Sequence, residues 1–454
     1  MDLKGKKVLV AGFGKTGIAV CRFLLLQGAE VKVSEKKSRD KIVGITEWSK
    51  KGVEFETGWH NPKSFLEADL IIPSPGIPFI PELKKAEEEE IPIFSEVELA
   101  FRFLNGKIVG ITGSNGKSTV TTLTYRILKE AGLQSFLAGN IGTPLISFVE
   151  KSTKDDIYVT ELSSFQLTHI KKFSCDISLF LNITPDHIDW HKGFKNYFSA
   201  KKKLIFNQKK DGAAILNRDD KKVWGLRNRG PSRIFGFSRK THPVPGCYLE
   251  NGHIKLYTKK EENLMKTSDI PLLGIHNQEN VMASALVGHI HGIALKKIKE
   301  SIQKFTGLEH RMEIVRNVQG IDFYNDSKAT NIDAALKSIQ SFDREIILIL
   351  GGKDKGGDFV SLRKGIKKRV KKIILMGEAR EKIHKDLGGI VAEETADSMQ
   401  EAVKLSFTSA GKGDIVLLAP ACTSFDMFES FEHRGKAFKK EVNSLQEELN
   451  RKKA

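Results

Sequence analysis

The chain has 454 residues, 40% of them apolar and 28% charged, with a formal net charge of +17. That length allows two to four domains with sizeable cores, and the composition describes a soluble globular protein. No apolar run is long enough to cross a bilayer, which excludes membrane insertion; lysines spread among acidic residues, with only short runs such as Lys201-Lys202-Lys203 and no aromatic-basic motif, argue against nucleic acid and for polyanionic substrates.

The first expected strand, residues 7–10, starts so early that no signal peptide is expected. Cys21, Cys175, Cys247 and Cys422 lie far apart without CxxC spacing, as expected for reduced thiols in a cytoplasm. The strand runs into Gly12-Phe13-Gly14-Lys15-Thr16-Gly17 and an amphipathic helix over 18–27. A second strand over 30–34 ends at Glu35. This βαβ unit carries a full GxGxxG with an acidic residue about 20 positions on, the pattern for NAD or, more generally, for a nucleotide diphosphate on a helix N-terminus. A strand over 70–72 ends in Pro73-Ser74-Pro75-Gly76-Ile77, either a rigid turn or part of the same crevice beyond the strand ends. Glu87 to Glu90 suit a solvated helix end, and a domain boundary is expected after Ser95.

The apolar residues Ile108, Val109 and Ile111 predict a buried strand, followed by Gly113-Ser114-Asn115-Gly116-Lys117-Ser118-Thr119 and a helix over 120–128. A glycine-rich turn between strand and helix aims backbone N–H groups and the helix N-terminus at an anion. Lys117 adds charge for the outer phosphates, and Ser118 or Thr119 adds a hydroxyl for Mg²⁺. Ile111 stands where the usual eight-residue pattern has glycine, so this is a variant phosphate loop. Gly139-Asn140-Ile141-Gly142 follows, then a strand over 157–160 ending at Glu161-Leu162-Ser163-Ser164-Phe165-Gln166. Glu161, at a strand end of the same sheet, suits Mg²⁺ because that ion prefers hard oxygen ligands. A strand over 177–183 leads to Asp186, His187, Asp189 and His191, which suit a dinuclear metal site, a single Mg²⁺ ligand with substrate contacts, or a plain loop. Strands alternating with helical patterns imply a largely parallel sheet, with an Asn251-Gly252 hairpin as a small antiparallel addition. Asn277 precedes a helix expected from Val281, either as its N-cap or as a ligand contact.

After Gly307-Leu308-Glu309-His310-Arg311 a third α/β domain is expected. Its strand ends carry polar or glycine-rich loops at residues 325–331, 351–358, 377–378 and 420–426, so it too should present a binding rim. Phe428 and Phe431 are either core or pocket, and the end of the chain from Asn450 should fray.

Taken together these motifs resemble those of the Mur ligases. Gly113 to Thr119, Glu161 to Gln166, His276-Asn277 and His310-Arg311 are similar to the shared ATP and Mg²⁺ motifs. Asn325-Asp326-Ser327-Lys328-Ala329-Thr330-Asn331, and Ser424-Phe425-Asp426 leading to Phe431-Glu432-His433-Arg434-Gly435, resemble the members that add D-glutamate. Ser74-Pro75-Gly76-Ile77 is similar to the family's turn for a UDP-sugar.

The resemblance implies three α/β domains: a Rossmann-like UDP-binding domain over 1–95, a P-loop-type ATPase sheet with the antiparallel addition over 96–306, and a Rossmann-like amino-acid-binding domain over 307–454. It implies a cytoplasmic, monomeric ligase of bacterial peptidoglycan precursor synthesis, which joins D-glutamate to UDP-N-acetylmuramoyl-L-alanine through an acyl phosphate. ATP and two Mg²⁺ ions are implied. Lys117, Glu161, His187 and Lys201 become the catalytic residues, with Ser118, Glu161, His187 and Lys201 at the metals. Lys201 would act as a carbamate, because carbon dioxide on a neutral amine makes a metal-bridging carboxylate. The Gly113–Thr119 loop with Asn277, Asn280, Arg311 and Asp326 would hold ATP. Thr16, Glu35, Ser74, Gly76, Asn140 and His187 would hold the UDP substrate, and Thr330, Lys355, Ser424, Phe425 and Phe431 the D-glutamate. The chain departs from relatives at Lys15 and at Glu35-Lys36-Lys37. A folylpolyglutamate-synthase-like ligase would lack the N-terminal UDP-binding residues, an NAD dehydrogenase leaves the phosphate loop unexplained, and an NTP-driven nucleic-acid binder has no motif in its favour.

Overall fold

The computed structural model describes residues 1–78 and 80–451, so the terminal residues 452–454 of the expected frayed end lie outside the described residues. Among the described residues the strands form three sheets. By internal contact the chain divides into two compact units: Met1–Ile183, Trp190–Thr267 and Glu279–Ile302 in one, and Thr184–Asp189, Ser268–Gln278 and Gln303–Ala454 in the other.

The first unit begins with β1 (Lys7–Ala11), β2 (Glu30–Glu35), β3 (Glu54–Thr57) and β4 (Leu70–Pro73), all parallel, in the order β3-β2-β1-β4. Val8, Leu9, Val10 and Ala11 are buried in succession, as a strand covered on both faces requires. The chain leaves β1 through Gly12 into the helix Lys15–Leu26. A Cβ at Gly17 would lie 2.1 Å from the Gly12 carbonyl oxygen, so only glycine lets the helix approach the turn this closely.

A second sheet is built from β5 (Lys107–Thr112), β6 (Ser135–Gly139), β7 (Ile157–Glu161), β8 (Ile177–Phe180), β9 (Ala213–Asn217), β10 (Arg233–Ser238), β11 (Gly246–Glu250), β12 (His253–Tyr257) and β13 (Glu261–Lys266). Its order is β13-β12-β11-β10-β9-β8-β5-β7-β6, parallel from β6 to β11 and antiparallel from β11 to β13. The Asn-Gly turn joins β11 to β12 with both residues at positive φ, 48° and 75°, as a type I′ hairpin needs. Between the two sheets the helix Glu96–Phe101 is pinned by Glu98, whose buried carboxylate accepts the N–H groups of Lys171, Lys172 and Phe173 and pairs with Arg102 at 2.6 Å. One apolar core runs without a break from Val8 and Val20 to Val97, Ile108 and Leu167.

The second unit carries β14 (Glu313–Val318), β15 (Ile321–Asn325), β16 (Ile346–Gly351), β17 (Val370–Met376), β18 (Ala392–Ala396) and β19 (Ile415–Leu418), in the order β14-β15-β19-β16-β17-β18. β14 is the antiparallel edge strand and the others are parallel. Apolar clusters cover both faces of this sheet, and the helix Phe431–Arg451 packs on one of them through Phe438 and Val442.

Two expectations shift. The strand expected to 183 ends at Phe180; beyond it Leu181 N donates to Thr112 O at the end of β5, and the Asn182 carbonyl accepts Ser114 N of the phosphate loop. The helix expected from Val281 begins at His276, so Asn277 lies inside its first turn and its side chain donates to the Leu273 carbonyl at 2.6 Å; it is not the N-cap. No described helix is long and apolar enough to cross a membrane. All four cysteines are free and buried.

Candidate functional site

In the first unit the polar residues gather at the carboxyl ends of parallel strands, where open α/β sheets bind ligands. The phosphate loop joins β5 to the helix Lys117–Glu130. Gly116 sits at φ 87°, and a Cβ there would come within 2.5 Å of Asn280 Oδ1, so the loop needs glycine for conformation and for space. Lys117 Nζ donates to the carbonyls of Gly113 (2.9 Å) and Ser114 (2.7 Å). Ser118 and Thr119 are buried in the first turn of the helix. Asn182 clamps the loop from the end of β8: it accepts from Asn115 N at 2.8 Å, donates to Asn115 O at 3.0 Å, and its own carbonyl takes Ser114 N.

Glu161 ends β7, directly beside β5. It is 2% exposed; its Oε1 accepts from Asn140 Nδ2 at 2.7 Å and its Oε2 has no partner. A buried, unsatisfied carboxylate oxygen beside a phosphate loop is a position that a hard cation would satisfy. Lys201 is 1% exposed, and its Nζ donates to Gly113 O at 3.0 Å and Thr112 Oγ1 at 3.2 Å. Lys203 is half-buried and donates to Thr168 O at 2.5 Å, with burial pulling its ammonium below the usual lysine value. The Lys201-Lys202-Lys203 run is therefore no solvated basic face.

At the first sheet, Glu35 accepts Phe13 N at 2.8 Å and Lys37 N at 3.1 Å, which fixes the glycine turn. Ser74 Oγ donates to Gly12 O at 3.1 Å, so the turns after β1 and β4 are joined. Thr16 is half-buried and Gly76 exposed. Lys15 Nζ donates to Gly142 O, which links this region to the Asn140 loop.

In the second unit Asp326, at the end of β15, is buried. Burial raises its carboxyl above the usual range, opposed by Ser338 Oγ, which donates to Oδ2, and by Arg311. Arg434 is 1% exposed and donates to Ser327 Oγ and O, Thr423 O and Cys422 O at 2.9–3.2 Å. Burial lowers its guanidinium to about 10, opposed by the charges of Cys422 and Asp426. That one side chain ties the loop carrying Thr330 to the loop carrying Ser424, and Thr423 in turn exchanges backbone bonds with Lys353, two residues before Lys355. Ser424 is buried, Phe425 is 69% exposed, and Phe431 lies under Lys328 Nζ at 3.5 Å. Phe428 packs against the core. His187, at φ 53°, has Nε2 3.5 Å from Asp186 Oδ2, and Lys355 Nζ lies 3.7 Å from Asp186 Oδ1.

The described residues also contain Glu309, His310 and Glu313 at metal-ligand spacing. Lys439 Nζ already lies 3.0 Å from Glu309 Oε1 and 2.6 Å from Glu313 Oε1, so an ammonium already pairs the two carboxylates of this cluster. Asn182, Tyr197 and Arg434 were not among the expected site residues. Arg434 lies within a quoted motif and Tyr197 four residues before Lys201, but only the fold shows that Tyr197 reaches Ser114 and Arg434 the Ser327 loop.

Three family models match the chain: "Mur ligase MurD-like, N-terminal domain" over residues 6–95, "Mur ligase middle domain" over 111–288, and "Mur ligase, glutamate ligase domain" over 310–422. The chain is 43% identical over 451 residues to the UDP-N-acetylmuramoylalanine–D-glutamate ligase of Koribacter versatilis, covering 99% of both chains. It is 43% identical over 453 residues to the enzyme of that name from a Thermoanaerobacter species, covering 98% of this chain and 100% of the relative. Among solved structures it is similar in fold to a pseudomurein peptide ligase type C from Methanothermus fervidus (18% identity, TM-score 0.62, 97% and 100% coverage). The UDP-N-acetylmuramate–alanine ligase of Thermotoga maritima gives 18% identity, TM-score 0.61 and 97% and 99% coverage.

Proposed function

The chain belongs to the Mur ligase family, and we propose that it is the ATP-dependent ligase that joins D-glutamate to UDP-N-acetylmuramoyl-L-alanine in bacterial peptidoglycan precursor synthesis. Its three-domain α/β fold is that of the family, with boundaries near 95 and 306, a Rossmann-like first domain and a P-loop-type second one. Amide formation from a free carboxylate in water is uphill. The substrate carboxylate oxygen attacks the γ-phosphorus and releases ADP, which turns a poor leaving group into phosphate. The D-glutamate amine then attacks the acyl carbon; the tetrahedral intermediate loses a proton from nitrogen and expels phosphate.

Such a reaction is accelerated mainly by positioning and by charge neutralisation. Lys117 and the N–H groups of Gly113 to Thr119 hold the triphosphate. Two Mg²⁺ ions, when bound, offset charge on the phosphoryl oxygens. Ser118, Glu161, His187 and a carbamate on Lys201 would hold them; the unpartnered Glu161 oxygen and the burial of Lys201 beside Gly113 support this. Asn277 and Asn280 contact adenine, Arg311 a phosphate and Asp326 the ribose. Thr16, Glu35, Ser74, Gly76, Asn140 and His187 receive the UDP substrate. Thr330, Lys355, Ser424, Phe425 and Phe431 receive D-glutamate, whose two carboxylates suit a cation and hydroxyls.

The observation that carries this reading is the Gly113–Thr119 loop with the buried Glu161 carboxylate on the neighbouring strand. The test is phosphate release from ATP and UDP-N-acetylmuramoyl-L-alanine with D-Glu, L-Glu, D-Asp or Lys as acceptor. D-Glu should support the fastest release; a preference for L-Glu or Lys would overturn the acceptor while leaving the ligase class intact.

A further inference from the structure

Within the first unit a continuous line of side chains runs from the Ser74–Ile77 turn to the phosphate loop. Trp190 Nε1 donates to the Ile77 carbonyl at 3.1 Å. The Trp190 ring meets Phe165 edge-on at 4.8 Å and His191 at 4.5 Å. His191 is 6% exposed, lies parallel to Phe165, and has Nε2 2.9 Å from Ser164 Oγ. Tyr197 follows at 5.3 Å, 1% exposed, with its hydroxyl 2.9 Å from Ser114 Oγ in the loop.

Both ends of this line are held. Ser74 ties the turn to Gly12, and Asn182 ties the loop to β8. Ser164 and Phe165 follow closely on Glu161 in sequence, so the same rings pack against the segment that carries the buried carboxylate. Close-packed rings transmit a displacement because no free volume absorbs it. Tryptophan suits the bridging position, since its large ring meets two others in T-shaped contacts while its N–H still reaches a carbonyl.

We propose that Trp190 is a positioning residue that couples the two turns, so that a nucleotide diphosphate seated against Ser74–Ile77 improves the seating of a triphosphate in the Gly113–Thr119 loop. The proposal rests on the functional assignment above, which gives each turn its ligand. Linkage makes the effect reciprocal: each ligand must tighten the other by the same factor.

The test is calorimetric titration of UDP-N-acetylmuramoyl-L-alanine with and without a saturating non-hydrolysable ATP analogue and Mg²⁺, and the converse titration. In the wild type the analogue should tighten the UDP substrate about fivefold or more. Trp190→Phe keeps a smaller aromatic ring and removes the N–H; it should bring that factor below about twofold while Kd for the analogue alone stays unchanged and Tm falls by no more than a few degrees, the cost of one hydrogen bond. Trp190→Ala, which removes the ring as well, should abolish the coupling in both directions. A factor retained in Trp190→Phe and Trp190→Ala, or a wild-type factor of one with both ligands binding, would overturn the proposal and leave the functional assignment standing. A wild type that binds neither ligand would overturn that assignment and the proposal together.

Discussion

The phosphate loop and the rim of the C-terminal sheet are both built at the carboxyl ends of parallel strands, yet they are held in different ways. The loop is a single run of residues on the end of one strand, with Asn182 and Lys201 bracing it from the side. The rim consists of three loops from distant parts of the chain, at Asn325–Asn331, Gly351–Lys355 and Cys422–Asp426, which Arg434 and Thr423 draw together. A contiguous motif needs little help to take its shape. An assembled rim depends on the group at its centre, here a guanidinium buried among carbonyls and one hydroxyl.

This contrast can be broken by substitution, and the largest effect is expected at Lys117. Lys117→Ala should lower kcat on the order of a thousandfold, as loss of one preorganised charge partner does, with the fold intact by circular dichroism. Near-normal turnover would remove the loop from the chemistry. Arg434→Ala should instead act through structure. It leaves the acceptors at Ser327, Thr423 and Cys422 unpaired, at about 3 kcal/mol. All four tryptophans precede residue 225, so fluorescence follows the other unit, and faster amide exchange in β16 and β19 should expose the loss. KM for D-Glu should rise while Kd for UDP-N-acetylmuramoyl-L-alanine stays the same. Unchanged exchange would show that the rim does not need its guanidinium.

Glu96 sharpens the comparison through pH. It is 1% exposed, accepts Ile146 N at 2.7 Å, and burial raises its carboxyl to about 7. Between about 4.5 and about 7 the folded chain therefore holds a proton that the unfolded chain has released, so this group's contribution to stability falls as pH rises through that window. Glu96→Gln should gain on the wild type over the same window, by at most about 3 kcal/mol, followed as Tm against pH. Parallel pH profiles for the two proteins would contradict it. The smallest effect is expected for Asn182→Ala, which removes two bonds to Asn115: about 1–2 kcal/mol, seen as a weaker Kd for the ATP analogue with Tm little changed.

The same contrast explains what could be seen in the sequence. The Gly113–Thr119 loop, the Glu161 strand end, the Asn251-Gly252 hairpin and the alternation of strand and helix are local patterns, and the structure carries each of them. Asn182, 67 residues from Asn115, and Arg434, 107 residues from Ser327, act across long separations that no local spacing encodes. The edge strands β13 and β14 were hidden by their charged, half-exposed residues. The polar start of the helix His276–Ile290 resembled a loop, because His276, Asn277 and Gln278 break the apolar pattern that marks the rest of it.

The central claim is that the substrate carboxylate is activated by transfer of the γ-phosphoryl group from ATP. Its most direct test is single-turnover reaction of UDP-N-acetylmuramoyl-L-alanine labelled with oxygen-18 in both oxygens of its terminal carboxylate. Each released phosphate should carry one labelled oxygen, the bridging atom of the acyl phosphate. Unlabelled phosphate formed in step with the amide would contradict that route.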